Sequence, residues 1–360
     1  MKRCETAVLV FIASCIFLAT LSFVEVNKPK PYPFDGLKLF PKMPTSDNLP
    51  TIEGVELGRF LFYDTILSSN NTFSCASCHK QAAAFSDAPK RFSKGINGDA
   101  MQRNTMPLFN LAWYPSFFWD GKASSIEEQV FHPVRAHNEM NLDWKTAVYR
   151  IKQSTFYQQK FQAAFGNTAI DSILISKAIA QFERTLISNN SKYDQVIKGE
   201  KHFTPNEYEG FVLINDQTKG DCLHCHTTDA DALGTTAKFS NNGLERAAKP
   251  NDYLDKGRGA ITKQEKDIGQ FKIPSLRNIA VTSPYMHDGR FETLEEVLDF
   301  YSEGVNNSYN IDSKMEFAHQ GGVRLTTEEK KNIVAFLKTL TDSTFLTSPK
   351  YGNPFITQSN

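Results

Sequence analysis

Two short stretches carry residues whose order points to covalent chemistry: Cys75-Ala76-Ser77-Cys78-His79 and Cys222-Leu223-His224-Cys225-His226. In Cys-x-x-Cys-His each thiol can add to a porphyrin vinyl group to give a thioether, and the adjoining imidazole supplies a nitrogen to the iron; this is the c-type haem attachment pattern. A zinc site or a pair of local disulfides would use the thiols but leave His79 and His226 without a role. Two copies therefore predict two covalently bound haem c groups, one through Cys75, Cys78 and His79 and the other through Cys222, Cys225 and His226.

Of the six cysteines, the two outside these motifs, Cys4 and Cys15, fall in the N-terminal leader. No thiol is left for a structural disulfide, so cysteine use here is cofactor chemistry. The 360 residues carry 40 Lys and Arg against 40 Asp and Glu, a balance with no basic field for nucleic acid. Phenylalanine is abundant, 28 against 3 tryptophans, which suits packing around flat apolar cofactors as it suits any Phe-rich core.

The elements that must hold the motifs can be read in chain order. After Met1-Lys2-Arg3 an uncharged apolar run extends from Ala7 to Val24, so residues 1–26 read as a signal peptide or an N-terminal membrane anchor, with the rest exported. Residues 27–50, with Pro29, Pro31, Pro33, Pro41, Pro44 and Pro50, read as an extended tether. Apolar spacing predicts a helix through Val55, Leu57, Phe60 and Leu61, and a longer one over residues 170–186. Thr204-Pro205-Asn206-Glu207 and Thr326-Thr327-Glu328-Glu329 are helix starts. No alternating strand run appears. The expected class is all-α, two cytochrome-c-like haem domains (51–200 and 201–345) with long loops and a tail at 346–360.

An internal repeat joins these segments. Arg103-Asn104 followed by Asp120-Gly121-Lys122 and Glu127-Glu128 is echoed by Arg277-Asn278 followed by Asp288-Gly289-Arg290 and Glu295-Glu296. Each copy lies downstream of one haem motif, so the chain reads as a duplicated single-haem unit. Laying Asp120 on Asp288 sets Tyr301 opposite Pro133, Met286 opposite Phe118 and His287 opposite Trp119. A phenol or a thioether can ligate iron, whereas proline and phenylalanine cannot. The second haem thus has candidate sixth ligands and the first has none, a division that suits an enzyme better than a simple carrier.

Gly58-Arg59-Phe60-Leu61-Phe62-Tyr63-Asp64, Phe118-Trp119-Asp120-Gly121, Glu128-Gln129, Asn138-Glu139-Met140, Pro274-Ser275-Leu276-Arg277-Asn278 and Pro284-Tyr285-Met286-His287-Asp288-Gly289, with the first haem motif, closely resemble the bacterial dihaem cytochrome c peroxidase family. That family includes the MauG branch, which modifies tryptophan residues in a partner protein. The resemblance spans roughly residues 50–345. It implies peroxide handled at the N-terminal haem and electrons received at the C-terminal one. It also makes Glu139 the acid/base beside the first haem, Gln129 its neighbour, and Trp119 the relay between haems. Asn104, with the carbonyls of Thr282 and Pro284, matches the family's inter-haem calcium site, a donor set suited to a hard cation.

Two departures bear on the branch. Peroxidase members carry a mobile histidine in the loop after the first haem motif, but residues 80–102 here contain none, and the position falls near Ile96. Tyr301 stands where those members have a distal methionine, which is the MauG-like state. Tyr301 is therefore placed ahead of Met286 as sixth ligand of the second haem, with Met315 a further candidate. His132, His137, His202, His224 and His319 are expected at the surface or in hydrogen bonds, and His137 is close to Glu139 in sequence. The expected protein is a periplasm-facing peroxidase, anchored to the inner membrane if residues 7–24 are retained. It reduces hydrogen peroxide to water with electrons from a small donor such as a single-haem cytochrome c. The alternatives are a MauG-like oxidase acting on a protein side chain and a non-catalytic dihaem electron carrier.

Overall fold

The computed structural model describes residues 28–227 and 233–356. The apolar leader, with its expected role as signal or anchor, lies outside the described residues, and within them no helix is long and apolar enough to cross a membrane. The helices are α1 (Ile52–Tyr63), α2 (Ile126–Arg135), α3 (Trp144–Gln153), α4 (Thr155–Phe165), α5 (Ser172–Arg184), α6 (Lys192–Ile197), α7 (Pro205–Asn215), α8 (Gly259–Thr262), α9 (Leu294–Asp299), α10 (Thr327–Lys338) and α11 (Ser343–Thr347). Long ordered loops with short 3-10 turns connect them. The one ribbon among the described residues pairs β1 (Phe239–Ser240) antiparallel with β2 (Phe271–Lys272).

Caps explain where the helices start. Thr204 and Thr326 each form a reciprocal box with the glutamate three residues on, Glu207 and Glu329. α5 begins at Ser172 rather than at Ile170 because the Asp171 carboxylate accepts the Leu174 N–H.

Two close helix crossings organise the core. α1 lies on α5 at Gly58, where a Cβ would stand 1.9 Å from the Ala178 carbonyl oxygen; α7 lies on α10 at Gly210, where it would stand 1.9 Å from that of Asn332. Four residues beyond each contact, Phe182 and Phe336 fill the angle between the helices. Around the first crossing Leu57, Leu61, Phe62, Ile175 and Ile179 are fully buried, and around the second Ile214, Ile333 and Leu340 are almost so. Apolar surface buried in these blocks stabilises the fold by roughly 25 cal/mol per Å² removed from water.

Asn110 and Asn278 also occupy matching places. Each is left-handed (φ 55° and 57°), begins a 3-10 turn, and donates its backbone N–H to a leucine carbonyl just past α5 or α10, Leu186 at 2.8 Å or Leu340 at 3.0 Å. In backbone role it is Asn110, rather than the Asn104 of the Arg-Asn pair, that matches Asn278.

Two segments run back across the fold. The proline-rich stretch lies against the protein: Phe40 is buried 5.1 Å from the Trp113 ring, and Trp113 Nε1 donates to the Pro41 carbonyl at 3.0 Å. At the other end, Phe345 and Tyr351 enter the first core, while Arg59 Nε and Tyr63 Oη donate to the carbonyls of Gly352 and Tyr351, both at 2.7 Å. Between the halves, Asp342 accepts the N–H groups of Asn189 and Asn190 at 2.9 Å. The buried Arg277 guanidinium pairs with Asp194 at 2.6 Å.

Candidate active site

Each Cys-x-x-Cys-His folds as one 3-10 turn. Cys78 and His79 N–H both donate to the Cys75 carbonyl, at 3.2 and 3.0 Å, and Cys225 and His226 N–H to that of Cys222, at 3.2 and 2.8 Å. All four thiols are free. His79 Nδ1 bonds the Phe85 carbonyl at 2.6 Å and His226 Nδ1 that of Pro274 at 2.9 Å. A carbonyl can only accept, so Nδ1 carries the proton and Nε2 keeps its lone pair. Burial lowers both imidazoles' affinity for a second proton, that of His226 to a pKa of about 4, and so favours the neutral ring that iron coordination requires. Two unpaired thiols and one oriented neutral imidazole at each motif are the donor set of haem c, and the residues present fit that group.

Cys75, Cys78 and His79 line a cavity of about 1030 Å³ whose wall also includes Trp119, Gln129, Pro133 and Glu139. Gln129 and Pro133 are one turn apart on α2, so they share a face. α2 ends at Arg135, and Glu139 follows in a turn held by its N–H to the Ala136 carbonyl (3.0 Å). The Glu139 carbonyl accepts the Ile96 N–H at 2.9 Å, so the loop lacking a histidine is pinned directly to the carboxylate-bearing turn. Gly95 lies so close to this turn that a Cβ would meet the Asn138 carbonyl oxygen at 1.9 Å. Burial raises the Glu139 pKa, and the Lys122 charge only partly offsets it.

Trp119 stands between this cavity and the second half. Its Nε1 donates to the Asn104 carbonyl at 2.8 Å, its own carbonyl accepts the Lys272 N–H at 2.8 Å, and its ring meets His287 edge-on at 6.5 Å. His287 in turn stacks on Phe271, with centroids 3.5 Å apart and planes at 10°. Trp119 and His287 both line the cavity, and the three rings follow one another in space.

Near the second motif, Tyr301 lies in a π-helical turn, Phe300–Gly304, that extends α9. Its hydroxyl accepts a hydrogen bond from Asn242 Nδ2 at 3.0 Å, and the same nitrogen is 3.7 Å from Met286 Sδ. Both candidate ligands, and Met315, pack on one apolar cluster with Leu244, Phe300 and Val305. Burial pushes the Tyr301 phenol up to about 12; the Asn242 bond opposes this, and the Cys225 and Cys222 thiols add to it.

Asn104 donates Nδ2 to the Arg91 carbonyl at 3.0 Å and lies against Gly289, beyond the loop that contains Thr282 and the cis Ser283-Pro284 bond. His137 is exposed and hydrogen-bonds Asn97, so it does not join Glu139. Sequence reasoning missed three residues here. Asn242 had no signal beyond an Asn-Asn-Gly turn. Glu183 lines the same cavity from α5, buried and with its pKa raised to about 8 by burial. Lys272 lines it from β2.

A family model described as di-haem cytochrome c peroxidase matches residues 52–202. The methylamine utilization protein MauG of Methylophilus methylotrophus is 30% identical over 335 residues, 92% of this chain and 94% of that one. The cytochrome c551 peroxidase of Nitrosomonas europaea is 32% identical over 308 residues, 85% of this chain and 84% of that one. Among solved structures, a MauG-like protein associated with microbial copper homeostasis superposes with a TM-score of 0.81 at 33% identity, covering 90% of this chain and 100% of that chain. With two haem c attachment sites and relatives of this similarity along most of its length, the chain belongs to the di-haem cytochrome c peroxidase family.

Proposed function

We propose that the protein faces the periplasm and reduces hydrogen peroxide to water, taking two electrons from a small donor such as a single-haem cytochrome c and two protons from solvent. The observation that carries this reading is Glu139: a half-buried carboxyl with a raised pKa, on the same cavity wall as His79 and fixed through Ile96. When bound at His79, the haem iron supplies the centre at which peroxide is held and reduced. Glu139 takes the proton from the inner peroxide oxygen and returns it to the outer one, so that water leaves. Gln129 orients the peroxide by hydrogen bonding. Pro133, without an N–H or a ligating atom, keeps that face open. Trp119 and His287 carry electrons from the second half.

The same reading includes two cytochrome-c-like domains, 51–200 and 201–345, descended from one duplicated unit. The Gly58/Gly210 crossings and the Asn110/Asn278 turns support that descent. A calcium ion between the domains would take the Asn104 amide and the Thr282 and Pro284 carbonyls, and the leader would export the chain, anchoring it if uncleaved. Tyr301 would be the sixth ligand of the second haem.

Tyr301 also favours a second reading, a MauG-like oxidase acting on a protein side chain. A phenolate stabilises ferric iron, which helps to hold high oxidation states rather than to accept electrons easily. Peroxide-dependent oxidation of reduced cytochrome c by the fully ferric holoprotein tests the first reading. Rapid turnover supports it; peroxide consumed into a long-lived oxidised species without cytochrome turnover overturns it for the oxidase. No reaction with peroxide leaves a dihaem electron carrier.

A further inference from the structure

Lys272 is 4% exposed, on β2, and lines the cavity of the first haem motif. Its ammonium donates to the Ser116 carbonyl at 2.6 Å and the Ser116 hydroxyl at 3.0 Å, both uncharged acceptors. The nearby Asp120 pairs with Arg103 at 2.6 Å, and Arg103 also holds Asp255 at 2.7 Å. Another cation of the wall, Arg290, pairs with Asp288 at 2.7 Å. Among the described residues no carboxylate lies within ion-pairing distance of Lys272. The Phe239 and Tyr114 rings, 5.0 and 5.6 Å from Nζ, stabilise the charge only weakly.

A buried ammonium with two neutral acceptors and one uncommitted N–H is an incomplete ion pair. Burial pulls its pKa down to about 8 and the Arg258 charge adds to this; the Asp120 charge, already paired with Arg103, offsets it only in part. Haem c carries anionic groups of its own, its two propionates, on an otherwise apolar ring. We propose that the Lys272 ammonium anchors a propionate carboxylate of the haem attached at Cys75 and Cys78. Because the Lys272 N–H holds the Trp119 carbonyl, this anchor also ties the haem to the segment bearing the proposed relay.

The test uses the holoprotein and needs no turnover. K272M should retain two haems per chain by pyridine haemochrome assay but shift the first haem to a lower midpoint potential, because an uncompensated carboxylate favours ferric iron. The second haem should not move, and K272R should stay near wild type. K272Q, a neutral polar side chain at the same place, carries the same expectation should K272M fail to accumulate. Unchanged potentials in K272M or K272Q, or an equal shift in K272R, would assign Lys272 to packing alone. Acetate that moves the potential of the wild type but not of K272M would mean that the ammonium is open to a free carboxylate, which also overturns the proposal.

Discussion

Asn242 and Tyr301 meet head-on, the amide nitrogen 3.0 Å from the phenol oxygen, within an apolar cluster that also holds Met286. The phenol thus has one donor holding it in place. With Tyr301 as sixth ligand, Tyr301→Met should raise the second haem's midpoint potential by on the order of 100 mV, well within the ~0.8 V that axial ligands span. Met286→Leu should leave it near wild type. A spectroelectrochemical titration of both variants decides the matter, and the reverse pattern would make Met286 the ligand.

Glu139→Gln keeps the shape of the turn but removes the proton carrier. The expected loss in peroxide turnover is about 10²- to 10⁴-fold, with both haem spectra intact. Steady-state assays beside absorption spectra check this; full activity in the variant would move the proton transfer elsewhere on the cavity wall.

Trp119→Phe removes the Nε1–H bond to Asn104 and widens the gap to the His287 ring. Rapid mixing should show electron arrival at the first haem slowed at least about tenfold, some 1.4 kcal/mol in barrier. The initial reaction of the ferric protein with peroxide should be unaltered.

Glu183 gives a pH signature. Its folded pKa, about 8, lies above the value of about 4.3 for an unfolded glutamate. Between those values the folded state holds a proton that the unfolded state has released, so this group's contribution falls as pH rises across the window and is constant above it. Glu183→Gln should therefore match wild type near about pH 4 and gain on it progressively up to about pH 8. Denaturant midpoints measured across that range, with no divergence between the two proteins, would show that Glu183 ionises freely.

Asp194→Asn leaves the Arg277 guanidinium, 2% exposed, without its carboxylate. Breaking a buried pair from one side costs about 3–5 kcal/mol, readable as a lowered denaturant midpoint. Burial pushes the Asp194 pKa up, but the Arg277 hydrogen bonds outweigh that and hold it below the usual range. The pair's stabilisation should therefore persist above the ordinary aspartate pKa and fade only as pH falls below it.

What could be read from the chain was local. Cys-x-x-Cys-His determines its own turn, and Thr204 and Thr326 set their helix starts with glutamates three residues away. Glu139, Gln129 and Trp119 were found by resemblance, and the fold brings all three to one cavity. Lys272, by contrast, looks like any basic residue near the surface. Only the contacts of β2 with Trp119 and Ser116, more than a hundred residues earlier, turn it inward. Asn110 was overlooked because its role is conformational, a left-handed residue reaching the end of a distant helix. Phe40 lies among prolines that suggest a free tether, and its packing partners Trp113 and Arg277 are far along the sequence.

Phe345 and Tyr351 belong to the core of the half that contains Cys75 and Cys78. A chain made from its N-terminus delivers those two rings only after the whole second half, so the half begun first is completed by residues that follow the second. Until then the interior of that half lacks part of its apolar filling. The packing of the first haem's half therefore depends on a segment more than 250 residues downstream of its attachment motif.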